Sequence, residues 1–141
     1  MKTLSVFSFV PAAATTFPFV PFSYSIDPSR RLLLTRAFGV LSDADILSGA
    51  AQLLADPAFD PTFNELMDLR EVADVAMSHA TMAGVAGRSI LKTGVRRAFL
   101  TQNEMQFGMA RMFSTLSATR GHLWRIFRSC DEALAWLSEP S

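Results

Sequence analysis

The chain has 141 residues, of which half are hydrophobic and 18% are charged; this fits one globular domain with a sizeable core and excludes a disordered chain. The formal net charge is zero, so no overall electrostatic field attracts nucleic acid or an anionic membrane. A single cysteine excludes an intrachain disulfide and a CxxC site, and the two histidines lack the spacing of a zinc site.

Residues 1–21 form an extension ahead of the domain. One lysine, a short apolar stretch and three alanines resemble a signal peptide, which would mean export. Pro11 and Pro18 interrupt this stretch, which makes it unsuited to span a bilayer. We expect a loose leader followed by one domain over residues 22–139, in a cytoplasmic protein, with export as the alternative.

The first predicted elements are two strands that form a hairpin. Residues 22–26 alternate apolar and polar side chains, as an edge strand does. Residues 27–30 (Asp-Pro-Ser-Arg) suit a type I turn, because proline presets φ at its second position. A second strand is predicted over residues 31–40, and its Leu32-Leu33-Leu34 run indicates burial on both faces of the sheet.

A helix is predicted next, with Ser42 as its N-cap and with Asp43 and Asp45 in the first turn, where the helix dipole favours negative charge. The Asp56-Pro57 pair ends it, because the residue before proline disfavours the α conformation. The inner face is predicted from apolar residues at helical spacing, which are Ile46, Leu47, Ala50, Leu53 and Leu54.

A buried central strand is predicted over residues 65–72, after a connector at residues 59–63 that packs over the sheet edge. The apolar run of this strand is too short for a helix and is bounded by charge. A polar turn follows at residues 73–77, and Ser78 caps a second helix that Gly94 terminates. The inner stripe of this helix is Met82, Val85, Ala86, Ser89 and Ile90. In open α/β sheets, functional sites usually lie beyond the carboxyl ends of the strands, which is where Ser78 is predicted to lie.

The last predicted elements are two strands and two helices. Strands are predicted over residues 95–101 and 123–128, and Trp124 and Ile126 share one face of the second. A helix opens at residues 102–104; its stripe is Met105, Met109, Met112, Phe113 and Leu116. We interpret this stripe as a core face, with an adaptable binding groove as the alternative.

A final helix begins with a capping box over residues 129–132 (Ser-Cys-Asp-Glu). Its inner face is Ala133, Leu134, Trp136 and Leu137. We expect Cys130 to be a small buried hydrophobe. The resulting order β-β-α-β-α-β-α-β-α predicts an α/β fold with a single mixed, mostly parallel five-stranded sheet and about four helices.

Charge is distributed unevenly along the chain. Residues 22–76 carry four Arg against nine Asp or Glu, a net of −5, whereas residues 88–128 carry eight Lys or Arg against one Glu, a net of +7. We interpret this as acidic and basic elements that neutralise each other inside one small fold. The alternative is a basic face for an acidic partner or for a second copy of the chain.

No catalytic constellation is found in the sequence. A P-loop, a GxGxxG turn, a GxSxG elbow and nucleic-acid motifs are all absent. His79 cannot act as a base for Ser78, because consecutive residues on a helix point apart. Asp68 stands where receiver domains carry a phosphorylated aspartate, but the acidic pair and the lysine of that site are missing. We predict no enzymatic activity, no cofactor and no metal.

Residues 22–138 resemble the STAS-like superfamily of bacterial anti-sigma-factor antagonists, and most closely its small, poorly characterised members. The likeness rests on residues 67–72 (Met-Asp-Leu-Arg-Glu-Val), which are similar to the family's Leu-Asp-Leu-x-x-Val strand. In that family the next helix opens with Asp-Ser-Ser-Gly, whose second serine is phosphorylated by a partner kinase. Residues 76–79 (Ala-Met-Ser-His) occupy those places, so only Ser78 is retained. Residues 107–113 and 131–137 also resemble this subgroup.

The resemblance implies a non-enzymatic regulatory module that binds a kinase-like or regulatory protein. Its candidate phosphoacceptor or partner-contact residues are Ser78 and Asp68. A phosphate on Ser78 would lie at a helix N-terminus, which stabilises negative charge; the alternative is that Ser78 is only an N-cap. The alternative function is a carrier or sensor of a small apolar or lipid-like ligand. The apolar composition and zero net charge predict a homodimer, without a nucleic-acid partner.

Overall fold

The structure, a computed structural model, describes residues 22–78, 80, 90–118 and 121–140, with the side chains of all but residues 116 and 117. The elements are β1 (Phe22–Asp27), β2 (Leu32–Ser42), α1 (Asp43–Ala55), β3 (Asn64–Ala76), β4 (Arg96–Leu100), α2 (Glu104–Ser117), β5 (Leu123–Phe127) and α3 (Cys130–Leu137). None of the helices in these described ranges is long and apolar enough to cross a bilayer.

The five strands form one sheet in the order β1-β2-β3-β4-β5. The β1–β2 pair is antiparallel and every other pair is parallel. The predicted mostly parallel sheet with a starting hairpin is therefore confirmed. Three of the four predicted helices lie within the described residues; the one predicted after Ser78 falls mostly on residues outside them.

Side chains alternate between the two faces of the sheet, and helices cover both faces. The Leu32-Leu33-Leu34 run is no more than 3% exposed, as predicted. The α1 and α2 side holds a core that also includes Trp124 and Ile126, and its buried members are Phe22, Ala37, Leu41, Met67, Leu69, Val72, Phe99, Met109 and Ala110. On the other face, α3 packs its predicted apolar side against Leu32, Leu34, Leu66, Ala98 and Leu100.

The β1–β2 turn closes one residue later than predicted. Asp27 remains paired with Leu32 in the sheet, so four residues connect the two strands. The main-chain hydrogen bond runs from Arg31 N to Pro28 O at 3.2 Å, and Arg31 takes a φ of 51° in the left-handed region. The Asp27 carboxylate stabilises the turn by accepting a hydrogen bond from Arg30 N at 3.2 Å.

β3 is longer than predicted, and its carboxyl half extends past β4. β4 pairs with residues 65–68 of β3 only, whereas β2 accompanies β3 as far as the Ser42–Ala76 pair. The predicted polar turn at residues 73–77 is therefore wrong: residues 73–76 are strand, because β2 continues beside them. We call this two-stranded end, formed by residues 38–42 and 71–76, the overhang.

The two ends of α1 lie where they were predicted. Ser42 accepts a hydrogen bond from Asp45 N, and the Asp45 carboxylate bonds back to Ser42, which completes a capping box. The helix ends at Asp56, whose carboxylate accepts the Tyr24 hydroxyl at 2.8 Å. Hydrogen bonds from Ala58 N and from Tyr24 hold the pKa of Asp56 below its ordinary value.

Tyr24 is expected to titrate well above an ordinary tyrosine. Burial, and then its hydrogen bond to Asp56, raises the pKa of Tyr24 to about 12. Because this folded-state pKa exceeds the unfolded value of about 10, the stability it supplies is fully present below about pH 10 and is lost as the pH rises through about 12. Tyr24 is the single tyrosine, so ultraviolet absorbance follows it alone. Asp56→Ala should lower the midpoint but keep it above 10; an unchanged midpoint would exclude the Asp56 contribution.

The inner face of α1 is rotated from the predicted one. Leu47 and Leu54 are 38% and 62% exposed, and the buried positions are Gly49 and Leu53. A Cβ added at Gly49 would overlap the ring of Phe22 at the start of β1. The absent side chain at Gly49 is therefore what lets α1 approach β1 closely, and this contact fixes which side of the helix faces the sheet.

Gly49→Ala is expected to destabilise the protein by about 1–3 kcal/mol, although alanine is the better helix former. The added methyl group must displace the buried Phe22 ring. Ser48→Ala, at the exposed neighbouring position, is the matched control and should be neutral or slightly stabilising. Urea denaturation measures both changes; a Gly49→Ala variant as stable as wild type would show that the ring moves without cost.

The inner face of α2 also differs from the predicted methionine stripe. Met105 and Met112 are 38% and 39% exposed, whereas Gln106 and Ala110 are fully buried. Met109 is buried as predicted. The helix is turned toward Gln106 because that side chain hydrogen-bonds to β3, so the predicted stripe is wrong at two of its methionines.

Candidate functional site

Asp68 lies on β3 beside Leu100, the last residue of β4, and is 3% exposed. Arg70 holds both of its carboxylate oxygens: Nε lies 3.0 Å from Oδ1 and Nη2 lies 2.9 Å from Oδ2. The bonds to Asp68 raise the pKa of the Arg70 guanidinium, whose side chain is 37% exposed. Asp68 therefore anchors Arg70 at the base of the overhang. The role of Asp68 as a phosphoacceptor stays a prediction.

Ser78 is exposed and follows the end of β3 by two residues. The strand between Asp68 and Ala76 spans roughly 25 Å at about 3.3 Å per residue. The structure therefore does not bring the two predicted site residues together: Asp68 lies at the base of the overhang and Ser78 at its tip. The stripe of the helix predicted after Ser78 lies outside the described residues except for Ile90, so the N-cap role of Ser78 stays a prediction.

Gln102 and Gln106 complete the hydrogen bonding of β3 where β4 ends. Gln102 Nε2 donates to Arg70 O at 2.8 Å, and Gln106 Nε2 lies 3.0 Å from both Arg70 O and Val72 O. Gln106 Oε1 accepts from Gln102 N at 2.8 Å. Beyond the end of β4, these two side-chain amides therefore supply hydrogen bonds to β3 that a neighbouring strand would otherwise make. The sequence signal was two glutamines four residues apart, directly after a strand.

Cys130 is half-buried at the start of α3, rather than buried as predicted, because it lies at the end of the sheet. Burial raises the pKa of its thiol; Arg70 opposes this change, and Asp68 and Asp131 add to it. The thiol is therefore protonated at neutral pH. A protonated thiol is a poor nucleophile, so Cys130 lacks the activation that covalent catalysis requires.

A second polar network lies on the face of the sheet that α1 and α2 cover. Arg97 Nη2 is 2.7 Å from Glu65 Oε1, and the two side chains are only 13% and 4% exposed. Thr35 Oγ1 donates to Glu65 Oε2 at 2.9 Å. The guanidinium carbon of Arg97 lies 4.3 Å from the centroid of the Trp124 ring, and Arg97 Nη1 is 3.4 Å from His122 Nδ1. The Glu65–Arg97 ion pair joins the acidic segment of the sequence to the basic one, as predicted from the interpretation that the two segments neutralise each other.

The sequence pattern did not single out the Glu65–Arg97 pair, although a signal was present. The two residues are direct partners in the β3–β4 register, with opposite charges on the same face. Met67 and Phe99 continue that face two residues later and are buried. A charge that precedes apolar residues at a spacing of two, on each of two adjacent strands, indicates a buried pair.

Two further features bear on the chemistry that the chain can perform. Within the described ranges, no three His, Cys, Asp or Glu side chains are placed to hold a metal ion. A cavity of about 10 Å³ lies in the core between the sheet, α1 and α2. It has room for about one water molecule but no polar wall to bind one. Its lining is Phe22, Ala37, Leu41, Ile46, Met67, Leu69, Met77, Phe99, Met109 and Phe113.

Comparison with known proteins identifies the type of fold. No protein-family model and no curated protein matches the chain. A solved structure from Shewanella loihica PV-4, an uncharacterised protein of the DUF3478 family with a SpoIIAA-like fold, matches with a TM-score of 0.60 at 20% identity. The match covers 82% of this chain and 93% of that chain. The fold of this chain is SpoIIAA-like. The predicted STAS-like fold is thereby confirmed; at this identity the likeness shows the fold alone.

In this SpoIIAA-like chain Asp68 is buried, and the two predicted site residues lie at opposite ends of the overhang. Its base carries the Asp68–Arg70 pair, and its tip leads to the exposed Ser78. Between them Glu71 is 59% exposed and bonds to Arg36 at 2.7 Å. Val40 is 55% exposed and pairs with Asp74. The exposed side of the overhang therefore carries charged side chains around one exposed valine.

Proposed function

We propose that the chain is a non-enzymatic regulatory module that binds a protein partner at the overhang and is controlled by phosphorylation of Ser78. The observation that carries the proposal is the exposed position of Ser78 just beyond the tip of the overhang, on a SpoIIAA-like fold. The partner is a kinase-like or regulatory protein, which places the module in the cytoplasm. The proposal needs no cofactor and no metal.

Charge supplies the physical basis for control at Ser78. A phosphoserine carries a charge of about −1.5 to −2 at neutral pH. Asp74 is exposed on the overhang, whereas the charge of Glu71 is paired with that of Arg36. A phosphate at the tip adds negative charge that repels an acidic partner surface and that would have to lose its hydration against an apolar one. The phosphorylated form is the released state.

The test is capture of partners from the native cell with wild type, Ser78→Ala and Ser78→Asp as baits. Aspartate keeps the capping function of serine and adds a charge, so it separates the two roles of Ser78. We expect wild type and Ser78→Ala to recover the same kinase-like or regulatory protein and Ser78→Asp to lose it. Equal recovery by all three baits would contradict control by phosphorylation and leave Ser78 with the role of an N-cap only.

Ser29→Asp is the matched control for this capture. Ser29 is also exposed, but it lies in the β1–β2 turn, at the end of the sheet opposite to the overhang. The substitution adds the same charge without changing the proposed surface. We expect Ser29→Asp to recover the partner as wild type does; a loss equal to that of Ser78→Asp would show that net charge, and not the tip of the overhang, governs binding.

Homodimerisation forms part of the proposal and is tested separately. The support for it is compositional: half of the residues are hydrophobic and the net charge is zero, which together favour self-association. Sedimentation equilibrium over a range of concentrations measures it directly. A mass of twice the chain mass is expected, and a monomer at every concentration would contradict it.

One observation favours a second candidate function, a carrier of a small apolar ligand. The core cavity is walled entirely by apolar side chains, three of which are methionines. At about 10 Å³ it is too small for a lipid chain, so a ligand would have to open the core. Native mass spectrometry after mild purification tests this candidate. Bound lipid would support it, and a clean mass of the chain alone would count against it.

A further inference from the structure

A groove of about 700 Å³ lies at the end of the sheet opposite to the overhang. Its walls are the β1–β2 turn, the residues that lead into β3, the segment 92–95 and the end of α3. Volumes of about 300–1,000 Å³ are typical of sites for small molecules. The groove is therefore large enough for a cofactor-sized ligand, and no element of the proposed function uses it.

The walls of the groove are positively charged. Arg30, Arg31 and Lys92 line it, and no carboxylate does. Within the described part of the chain, the side chains of Arg30 and Lys92 have no hydrogen-bond or ion-pair partner. Asp27 and Asp60, on the adjoining turns, accept hydrogen bonds from their own turns and lie outside the lining. Arg31 interacts with the charge of Asp60, whereas Arg30 and Lys92 are available to an anion that enters.

Arg31 is held in place at the mouth of the groove. Its Nη2 donates to Thr62 Oγ1 at 2.9 Å, and its guanidinium carbon lies 5.1 Å from the centroid of the Phe63 ring. Its φ of 51° belongs to a region that non-glycine residues rarely adopt. The contacts with Thr62 and Phe63 hold the guanidinium in place, which lowers the entropy lost on binding.

The negative end of α3 does not oppose an anion in the groove. The last carbonyls of a helix carry partial negative charge. Here Arg96 Nη1 donates to Trp136 O at 2.6 Å and to Glu139 O at 3.1 Å. Asn64 Nδ2 donates to Leu137 O at 3.0 Å. The carbonyls beside the groove are therefore occupied by donors, and the groove keeps the positive character of its arginines and lysine.

We infer that this groove binds a small soluble ligand that carries more than one phosphate group. Arginine forks bind phosphate through paired hydrogen bonds, and lysine binds it as a point charge. The three cations come from two separate walls, the β1–β2 turn and the segment 92–95, and three positive charges favour a ligand with more than one negative group. A chain of linked phosphates reaches both walls. The groove and the overhang lie at opposite ends of the strands, so the two sites are distinct.

The probe is inorganic tripolyphosphate, titrated into the full ¹⁵N-labelled chain at physiological salt. We expect saturable shifts of the backbone amides at residues 29–31 and 92–95. Arg30→Gln and Lys92→Gln should each weaken binding about threefold, and the double variant about tenfold. Both side chains are exposed and make no hydrogen bond or ion pair with the described residues, so we expect the fold to be retained. Arg111→Gln removes an equal charge from the outer side of α2 and should leave the affinity unchanged.

Three results would overturn this inference: shifts spread over the whole surface, equal weakening by Arg111→Gln, or equal affinity for tripolyphosphate and orthophosphate. Binding only to vesicles that contain phosphoinositides, and not to the soluble probe, would also overturn it. A parallel titration with ATP distinguishes two sources of the same chemistry. Tighter binding of ATP assigns the groove to a nucleotide, and equal or weaker binding assigns it to a polyphosphate; either result supports the site.

Discussion

Glu65→Leu is expected to lower the free energy of unfolding by about 3–5 kcal/mol, the range for removing one partner of a buried ion pair. The substitution leaves Arg97, which is 13% exposed, without its carboxylate. It also removes the nearer acceptor of the buried Thr35 hydroxyl, which keeps only a longer hydrogen bond of 3.4 Å to Leu66 O. Urea denaturation followed by circular dichroism measures the change.

Two controls define the origin of this effect. Glu71→Gln breaks the Arg36–Glu71 pair, in which Glu71 is 59% exposed, and should cost about 1 kcal/mol or less. The double variant Glu65→Leu with Arg97→Leu removes both charges, so it should be more stable than Glu65→Leu alone. A single variant that costs under about 1 kcal/mol would mean that water reaches Arg97.

Gln106→Leu is expected to cost about 2–4 kcal/mol, because each buried polar group left unpaired costs about 1–3 kcal/mol. The side chain of Gln106 is almost fully buried and serves Gln102 N, Arg70 O and Val72 O. Leucine has a similar volume, so the loss reports on hydrogen bonding and not on a cavity. The same urea denaturation measures it.

Gln102→Leu is the matched control for Gln106→Leu. Its side chain is exposed and makes one hydrogen bond, to Arg70 O, which Gln106 also serves. It should cost no more than about 1 kcal/mol. Equal losses in the two variants would contradict the conclusion that the buried amide, and not simply the position near the end of β4, completes β3.

The strands were predictable because their signals are local. The β1–β2 hairpin follows from alternation and an Asp-Pro turn, and β4 and β5 follow from short apolar runs between turn residues. The overhang was not predictable in this way. Residues 73–76 read as a polar turn, and they become strand because β2, more than thirty residues earlier, runs beside them. Strand pairing between residues so far apart in the sequence cannot be detected from a short stretch of residues.

The helix faces show the same limit. Helical spacing correctly placed α1 and α2, but it chose Leu47, Leu54, Met105 and Met112 as inner residues, and all four are exposed. Two tertiary contacts decide the rotation of these helices: Gly49 against Phe22, and Gln106 against β3. A glycine and a glutamine carry no hydrophobic signal, so periodicity could not select them.

The candidate site was predictable only in part. The resemblance selected Ser78 and Asp68 from one stretch of sequence, and the structure places them at the two ends of the overhang, since an extended chain separates residues widely. The basic groove was not foreseen, because its lining comes from four separate segments that meet only in the fold. The uneven charge along the chain did not indicate it, because Arg30 and Arg31 belong to the segment 22–76, whose net charge is −5.

The proposal that the overhang is the partner-binding surface is tested most directly by hydrogen exchange of the chain alone and with the partner captured by wild type. Binding at the overhang should slow exchange of the amides at residues 38–42 and 71–78, and Ser78→Asp should abolish this protection. Unchanged exchange in these segments, with protection only at residues 29–31 and 92–95, would contradict it and place the partner on the opposite end of the sheet.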